Sequence, residues 1–470
     1  MYSLILCFFS FLPQPTDTIP SAPASHDRII TINRILIIGN KLTRNSIISR
    51  ELSLKVGDTI STHRIDQVLL LDKNKIYNLR LFNTVAIRWI DLGTNEADLL
   101  IDVSERWYTF PVPIFDLSDR NFNEWVQTYG ADFRRVNYGL RLYQYNFRGR
   151  NETVRLTAQF GFVKRFELSY RIPYIDRQQK HGLTFDLDYV APKNAVYATE
   201  NHQFSFLESE SVLRRTRGAG ITYTFRKSFY QSHSFTASYR SSTIADTLSQ
   251  LNENYYSNGQ TSQRYGTLQY IFNSDHRDVI AYPLKGYQIT ASVERLGLFR
   301  GDNVSLWNVS ASYAYHKPVA SKNYFSNFTS LYRSFPENQP YSQFFGLGYK
   351  KQFVRGYEIY VIEGPFYVLN KTTFKRRIFS RVWEFDRVPL EQFRYFPISI
   401  YAKIYADAGY ARNYPVYEER SLNTRLSNRW LGGLGGGLDV VTFYDFVMRF
   451  EYTFTLEKTS GFFFHVKKEF

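Results

Sequence analysis

From about residue 154 to the C-terminus, apolar residues recur at every second position. In residues 151–163 one parity carries Val154, Leu156, Phe160 and Phe162, while polar residues dominate the other parity. This alternation is typical of a β-strand with one apolar face and one hydrated face. The pattern recurs in residues 166–174, 183–189, 221–225, 235–239, 268–272, 287–293, 305–313, 398–410, 446–454 and 462–470. Sustained over hundreds of residues, it predicts an all-β transmembrane barrel whose apolar face is outside.

The barrel is expected to occupy residues 109–470, one barrel for each chain. At roughly 22 residues for a strand and its loop, this length holds about 16 antiparallel strands. No apolar stretch reaches the roughly 18 residues of a membrane-spanning helix. A large soluble protein with two-layer sheets would alternate in the same way. It is the weaker interpretation, because exposed aromatic faces on so many strands would aggregate in water.

The region before the barrel, residues 27–108, has a different pattern. The predicted elements are a strand over 28–38, helices over 44–52 and from about 62 to 79, and strands over 82–90 and 97–103. Thr43 is the expected N-cap of the first helix, and Ser61 or Thr62 that of the second. The order β-α-α-β-β predicts a small α+β domain that folds by itself.

The first 26 residues read as a leader. A short apolar run around Cys7, the single cysteine of the chain, is followed by prolines and small residues. This order is typical of a secretory signal peptide, with cleavage expected in residues 20–26. The absence of a basic residue before the apolar run departs from that pattern. One cysteine excludes a disulfide within the chain.

Composition and charge restrict the partners. Aromatic residues make up 18% of the chain, and aromatic rings favour membrane interfaces. The net charge of +15 is compatible with outer-membrane lipid and lipopolysaccharide as surroundings, or simply with a hydrated lumen and loops. Nucleic acid is not an expected partner, because the basic residues are interleaved through strands and loops without a helix or zinc motif to present them.

One loop carries the most specific signal. Residues 343–360 (QFFGLGYKKQFVRGYEIY) are aromatic, glycine-rich and basic, and contain Val354, Arg355, Gly356 and Tyr357. The tetrapeptide resembles the VRG(F/Y) tip of the inward-folded loop in the BamA/TamA-type outer-membrane assembly superfamily, also called the bacterial surface antigen family. The β-α-α-β-β region resembles a single POTRA domain of that family. An exposed edge of its sheet would add an incoming strand, or the domain would serve only as a spacer.

An arginine in a partly dehydrated lumen needs an acceptor. Asp407 lies on the inward parity of the strand over residues 398–410, with Gly409 two positions on. This string resembles the strand motif of the family whose carboxylate pairs with the loop arginine. We therefore predict a contact between Arg355 and Asp407. The alternative is that Asp407 faces lumen water and Arg355 pairs elsewhere, for example with Glu358.

The C-terminal strand ends on an aromatic residue, with Phe462, Phe464, Val466 and Phe470 on one parity. This ending resembles the signal read when an outer-membrane barrel is itself assembled. The resemblance implies a bacterial outer-membrane protein with its POTRA-like domain in the periplasm. It also implies insertion, assembly or translocation of polypeptides there, with unfolded outer-membrane clients and accessory lipoproteins as partners.

Two other functions stay open at this point. One is a passive pore or lipid conduit that keeps the family fold without insertase activity, and the other is an adhesin or purely structural barrel. No G-x-S-x-G motif, phosphate-binding glycine loop or pair of histidines at ligand spacing occurs in the sequence. We therefore expect no enzymatic activity, no cofactor and no metal site.

Overall fold

The computed structural model describes residues 28–117, 133, 136–349, 352–385 and 394–468. The expected leader, residues 1–26, lies outside them. The described chain forms a small α+β domain followed by a 16-stranded sheet in which every pairing is antiparallel. The predicted fold class, including the strand number, is confirmed.

The N-terminal module has four strands and two helices. They are β1 (Ile29–Ile38), α1 (Asn45–Ser49), β2 (Thr59–Ser61), α2 (Thr62–Tyr77), β3 (Phe82–Asp91) and β4 (Glu96–Glu105). The sheet order is β2-β1-β4-β3, with β1 and β4 parallel. The Ser61 hydroxyl accepts a hydrogen bond from the backbone N of His63, as expected of an N-cap. Apolar residues of α2 and the sheet, among them Ile65, Leu69 and Leu99, form the buried core.

Two details of the module differ from the prediction. The three-residue strand β2 pairs with the start of β1 and was missed, because three residues carry too short a pattern. Helix α1 is shorter than predicted, and Thr43 does not cap it. The Thr43 hydroxyl instead donates to Glu105 at the end of β4, at 2.5 Å. The Thr43 hydroxyl therefore bonds to a buried acceptor on a distant strand and does not cap the helix.

The remaining strands continue to the C-terminus. They are β5 (Thr109–Leu117), β6 (Val136–Phe147), β7 (Glu152–Gly161), β8 (Val163–Ile172), β9 (His181–Pro192), β10 (Asn194–Glu200), β11 (Gln203–Glu208), β12 (Arg214–Arg226), β13 (Gln231–Ile244), β14 (Ser262–Asp275), β15 (Gly286–Leu296), β16 (Leu306–Ala320), β17 (Asn323–Phe335), β18 (Gly346–Leu347), β19 (Ile362–Glu363), β20 (Phe366–Glu384), β21 (Tyr395–Arg412), β22 (Trp430–Thr442), β23 (Phe446–Thr455) and β24 (Ser460–Lys468). Helices α3 (Asp246–Leu251) and α4 (Pro415–Glu419) and 3-10 turns at Tyr341–Gln343 and Phe443–Asp445 lie in loops.

Among the described residues, two strand pairs lie outside the barrel sheet. The pair β10–β11 forms a separate hairpin, and β18–β19 forms a two-residue ladder within the loop between β17 and β20. The other sixteen strands, from β5 to β24, follow one another around the sheet. We call the end of the barrel that meets the N-terminal module the module end, and the opposite end the far end.

Successive residues of the barrel strands alternate between apolar side chains on the outer surface and polar side chains in the lumen. Ile404 on β21 and Leu434 on β22 are 64% and 62% exposed on the outer surface. Lys403 on β21 and Glu451 on β23 are buried in the lumen. A lipid-facing apolar face and a polar interior follow from the period of two. No helix among the described residues is long and apolar enough to cross a membrane.

Hydrogen bonds between the first and last strands of the barrel sheet are not found within the described residues. Within the described residues no pairing joins β5 to β24, and each of the two is the terminal strand of the sheet. We call the junction between their unpaired edges the seam. Strands β20 and β21, with 19 and 18 residues, are the longest of the described sheet, so its wall is longest near the loop that carries Arg355.

Candidate functional site in the barrel lumen

The loop between β17 and β20 folds back into the barrel. Its tip, Val354, Arg355, Gly356 and Tyr357, is here called the finger. The backbone N of Tyr357 donates to the carbonyl O of Val354 at 3.0 Å, which makes a tight turn. Gly356 has φ +92°, a conformation that glycine adopts without strain. Val354, Arg355 and Tyr357 are all buried.

Arg355 is held by Asp407 through a forked contact. Its Nε donates to Oδ2 at 2.8 Å and its Nη2 to Oδ1 at 2.5 Å. The backbone N of Arg355 also donates to Oδ2, at 3.1 Å. This arrangement matches the planar guanidinium to the planar carboxylate, the geometry that makes such pairs specific. Glu358, the alternative acceptor, instead receives the backbone N of Gly356 at 2.7 Å.

Three further groups surround the guanidinium. Nη2 donates to the Thr373 hydroxyl at 3.1 Å, and Nη1 to Glu451 at 3.4 Å. The guanidinium carbon lies 3.7 Å from the centre of the Tyr405 ring, a cation–π arrangement. These contacts come from β20, β21 and β23, so the finger ties three strands of the wall together.

The ionic cluster extends beyond the finger. Lys403 on β21 lies 2.7 Å from Glu451 and also donates to Asp439 on β22. The Tyr282 hydroxyl donates to Asp439 at 2.8 Å. Buried charges are tolerated only where each has partners, and the two carboxylates here each contact more than one donor. Arg355 is thus part of a cluster that braces β21, β22 and β23 from inside.

Glycines on the wall make room for the finger. A Cβ on Gly433 of β22 would lie 2.1 Å from the carbonyl O of Arg355, and a Cβ on Gly409 would lie 2.4 Å from Val354. The finger therefore packs directly against bare backbone. Gly409 leaves space beside the ion pair and contributes no side-chain acceptor. Within the glycine-rich segment 432–437, Gly433 is the position that serves this close approach.

The loops that carry His202, Glu363, Tyr417 and Leu426 lie over the far end and are here called the roof. Glu363 of β19 is buried and accepts a hydrogen bond from Tyr417 of α4 at 2.6 Å. His202, in the turn between β10 and β11, accepts at Nε2 from the backbone N of Leu426 at 2.9 Å. Burial lowers the pKa of His202 to about 4, which keeps the ring neutral and able to accept. The roof joins the finger loop to the loops that flank it.

The N-terminal module is fixed to the other end. Arg106 donates to Asp445 at 2.8 Å, and both side chains are buried. Arg226 at the end of β12 donates to both carboxylate oxygens of Glu51, at 2.7 and 2.8 Å. Asn78 donates to the carbonyl O of Asp278 at 2.9 Å. The turn after α2 therefore lies at the module end and lines a cavity of about 470 Å³.

The residues of the predicted C-terminal signal divide by position. Phe462 and Phe464 on β24 are 64% and 51% exposed on the outer surface. The backbone of Val466 pairs with Met448 of β23. Phe470 lies outside the described residues. Phe462 and Phe464 therefore face outward, whereas the finger faces inward.

Sequence reasoning missed part of the cluster. Glu451 and Thr373 were not among the predicted site residues, and neither were Lys403 and Asp439. A signal for Glu451 existed, because Arg449, Glu451 and Thr453 share the polar parity of their strand. Strand order and register decide that Glu451 meets Lys403, and neither can be read from one strand.

Comparisons with known proteins agree with this architecture. The family model described as the Omp85 superfamily domain matches residues 146–466. A POTRA model, described as the surface antigen variable number repeat, matches residues 30–106. No curated protein matches the sequence at a significant level.

Two solved structures share the fold at low identity. BamA from Haemophilus ducreyi lacking POTRA domains 1–3 is 15% identical, with 93% of this chain and 84% of that chain covered and a TM-score of 0.50. CdiB from Escherichia coli is 11% identical, with 93% and 76% covered and a TM-score of 0.55. At these identities the likeness concerns the fold.

Proposed function

Because this chain belongs to the Omp85 superfamily, we propose that it inserts polypeptides into the bacterial outer membrane or carries them across it. The N-terminal module lies in the periplasm in this proposal, and residues 1–26 direct export. Outer-membrane lipid and lipopolysaccharide surround the barrel. Unfolded outer-membrane proteins are the clients, and accessory lipoproteins are further partners.

The observation that carries the proposal is the contrast between the finger inside the lumen and the seam, which has no pairing within the described residues. The finger occupies part of the interior, and the turn after α2 lies at the module end. The seam presents backbone donors and acceptors sideways, where an extended polypeptide can pair with them. Strand addition at the seam is the mechanism we propose, with Arg355 and Asp407 holding the finger in place.

The proposed function is tested by depletion. Expression is shut off and the outer-membrane and secreted proteins are quantified over several generations. We expect a subset of barrel or exported proteins to fall while lipoproteins stay constant, because only the former need strand addition. Complementation by the native chain restores them. Normal levels of every outer-membrane and secreted protein after complete depletion would contradict the proposal.

The competing proposal is a passive pore or lipid conduit. Conductance in planar bilayers separates the two, with the native protein compared with Arg355→Ala. A plugging finger predicts a small native conductance that rises in the variant. The matched control is Arg240→Ala, since Arg240 faces the lumen, contacts Asp188 at 3.4 Å and does not touch the finger. A large native conductance that Arg355→Ala leaves unchanged would favour the pore.

A further inference from the structure

Charges are distributed unevenly on the outer face of strands β16, β17, β20 and β21. At the far end, Arg333 on β17 and Arg412 on β21 both contact Glu337, at 2.6 and 3.1 Å. The acidic residues of the four strands are Glu384 and Asp407, and both lie on the inward parity. A basic side chain on the outer face at the module end therefore has no carboxylate of these strands beside it.

Lys317 is the first of three such side chains. It pairs with Phe325 on β17, and Phe325 pairs with Phe374 on β20. Phe374 in turn pairs with Ile404, which is exposed on the outer surface. Because directly paired residues lie on one face of a sheet, Lys317 faces outward as well.

Arg376 and Arg381 on β20 share this face. Arg376 lies two positions after Phe374, so both side chains point to the same side. A β-bulge shortly after Arg376 shifts the alternation of β20 by one residue. Beyond the bulge, Arg381 pairs with Ile398, which has the outward parity of Ile404.

We call Lys317, Arg376 and Arg381 the basic triad. All three side chains are exposed, and none of them has an ion pair within the described residues. The guanidinium carbon of Arg381 lies 5.7 Å from the centre of the Trp383 ring, and this ring lies 5.8 Å from that of Phe379. A cation–π contact uses the face of the guanidinium and leaves its N–H groups able to donate. The triad is therefore a group of charges without a counter-charge, next to an aromatic surface.

The register places the triad at the boundary of the hydrocarbon layer. Strand β20 pairs with β17 over eleven residues, 366–376, and a strand that spans a membrane needs about 9–11 residues. Arg376 is thus at the module-end limit of the spanning segment, and Phe374 just inside it is placed like the aromatic residues of a membrane interface. From this depth a long basic side chain keeps its carbon stem on the apolar surface and its charge among the lipid headgroups.

We propose that the basic triad binds the phosphate group of an anionic phospholipid in the leaflet at the module end. Arginine donates to a phosphate through two parallel N–H groups, and lysine adds a compact charge. The triad continues the lipid-facing surface of the barrel, which favours a lipid over a soluble acidic protein. A bound headgroup would fix the depth of β20, the strand whose Thr373 contacts Arg355 of the finger. The inference deepens the proposed function and rests on it for the periplasmic side of the membrane.

The test uses the full chain in phosphatidylcholine vesicles that contain a minor fraction of lipid with a nitroxide label near its headgroup. Trp383 reports binding through the quenching of its fluorescence, obtained as the difference between the native chain and Trp383→Phe. The labelled lipid is either phosphatidylglycerol, which is anionic, or phosphatidylcholine, which has no net charge. We expect a preference for phosphatidylglycerol of about a hundredfold, since each basic residue near an anionic headgroup contributes about fivefold.

Removal of the charges should remove the preference. Lys317→Gln, Arg376→Gln and Arg381→Gln should each lower it about fivefold, and the triple variant should abolish it. Arg333→Gln is the matched control, because Arg333 faces outward on the same wall and is already paired with Glu337. The preference should be unchanged in this control. Heat-modifiable migration in gels checks that every variant is folded, and quenching by labelled phosphatidylcholine checks that Trp383 keeps its depth.

Two results overturn the site itself: equal quenching by the two labelled lipids in the native chain, and a preference that survives in the triple variant. Displacement of phosphatidylglycerol by an equal concentration of inorganic phosphate would overturn the lipid and assign the triad to the free anion. Displacement by an equal concentration of a glutamate-rich peptide would assign it to a protein partner instead. The depletion experiment decides the proposed function separately, because binding in vesicles needs no client. Client loss on depletion, combined with any of these results, would retain the function and discard the lipid site.

Discussion

The wall that carries the finger and the wall at the seam differ in how completely their strands are hydrogen-bonded to neighbours. Strands β20 and β21 are long and paired with each other from end to end, and buried ion pairs brace them from the lumen. Within the described residues, β5 and β24 each pair with one neighbouring strand only. A single sheet with one alternating pattern can thus place buried ion pairs along one side and have fewer hydrogen bonds between strands on the other.

Removing the anchor of the finger should weaken the strong side most. Asp407→Ala leaves the buried Arg355 without its forked partner, and we expect a loss of about 4 kcal/mol in the free energy of unfolding. Urea titration in lipid vesicles measures it. Protease cleavage of the loop between β17 and β20 should increase in parallel.

The matched control for that variant is Asp188→Ala. Asp188 also pairs with an arginine in the lumen, but the pair is longer and more exposed. Its loss should cost about 1 kcal/mol or less. Equal effects of the two substitutions would show that the finger contact has no special weight, and the contrast between the two walls would lose its main support.

The seam can be weakened further from the module end. Asp445→Ala removes the buried partner of Arg106, which lies directly before β5, and we expect a loss of about 3 kcal/mol. Hydrogen exchange should rise in the module and in β5. Asp91→Ala breaks the exposed pair of Asp91 with Arg28 and is the control. Unchanged exchange in β5 would contradict a link between module and seam.

Acid should loosen the roof over the far end. A released His202 takes up a proton below its ordinary pKa of 6.5, whereas the docked ring does so only below about 4. The docking free energy is therefore full above pH 6.5 and declines as the pH falls toward 4, by about 3 kcal/mol in total. Hydrogen exchange at the Leu426 amide, measured at pH 7 and pH 5, follows it.

The pH effect should vanish in His202→Gln, because that side chain does not titrate. His63→Gln is the control, since His63 lies on the exposed surface of α2. The pH dependence must survive in the control variant. If it also survives in His202→Gln, another group is responsible for it.

The smallest effect tests the close approach of the finger. Gly433→Ala places a methyl group 2.1 Å from the carbonyl O of Arg355, and we expect a cost of about 2 kcal/mol. Gly436→Ala, three positions along the same strand, meets nothing nearer than 3.4 Å and should be nearly neutral. Comparison of the two melting temperatures measures the difference. Equal melting temperatures would mean that the finger yields without cost.

Much of this fold could be predicted from the period-two pattern, because a lipid-facing strand must alternate. The same pattern could not tell a barrel strand from a loop hairpin, and β10–β11 illustrates this, since it alternates and lies outside the barrel. The helix cap at Thr43 failed because its partner, Glu105, is distant in sequence. Contacts that depend on folding elsewhere escape a local pattern.

The site shows the same division. The partner of Arg355 was predicted from inward parity and from family resemblance. The coupling of Glu451 to Lys403 depends on the register between three strands, which no single segment contains.

The two ion pairs that anchor the N-terminal module have a mechanical consequence. Glu51 is bound to β12 and Arg106 to the turn before β23, and half of the sheet lies between these points. A single contact would let the module rotate against the barrel, whereas two contacts so far apart fix its orientation. A force applied to the module is then transmitted as torque to the turn that precedes β23, next to the last strand of the barrel.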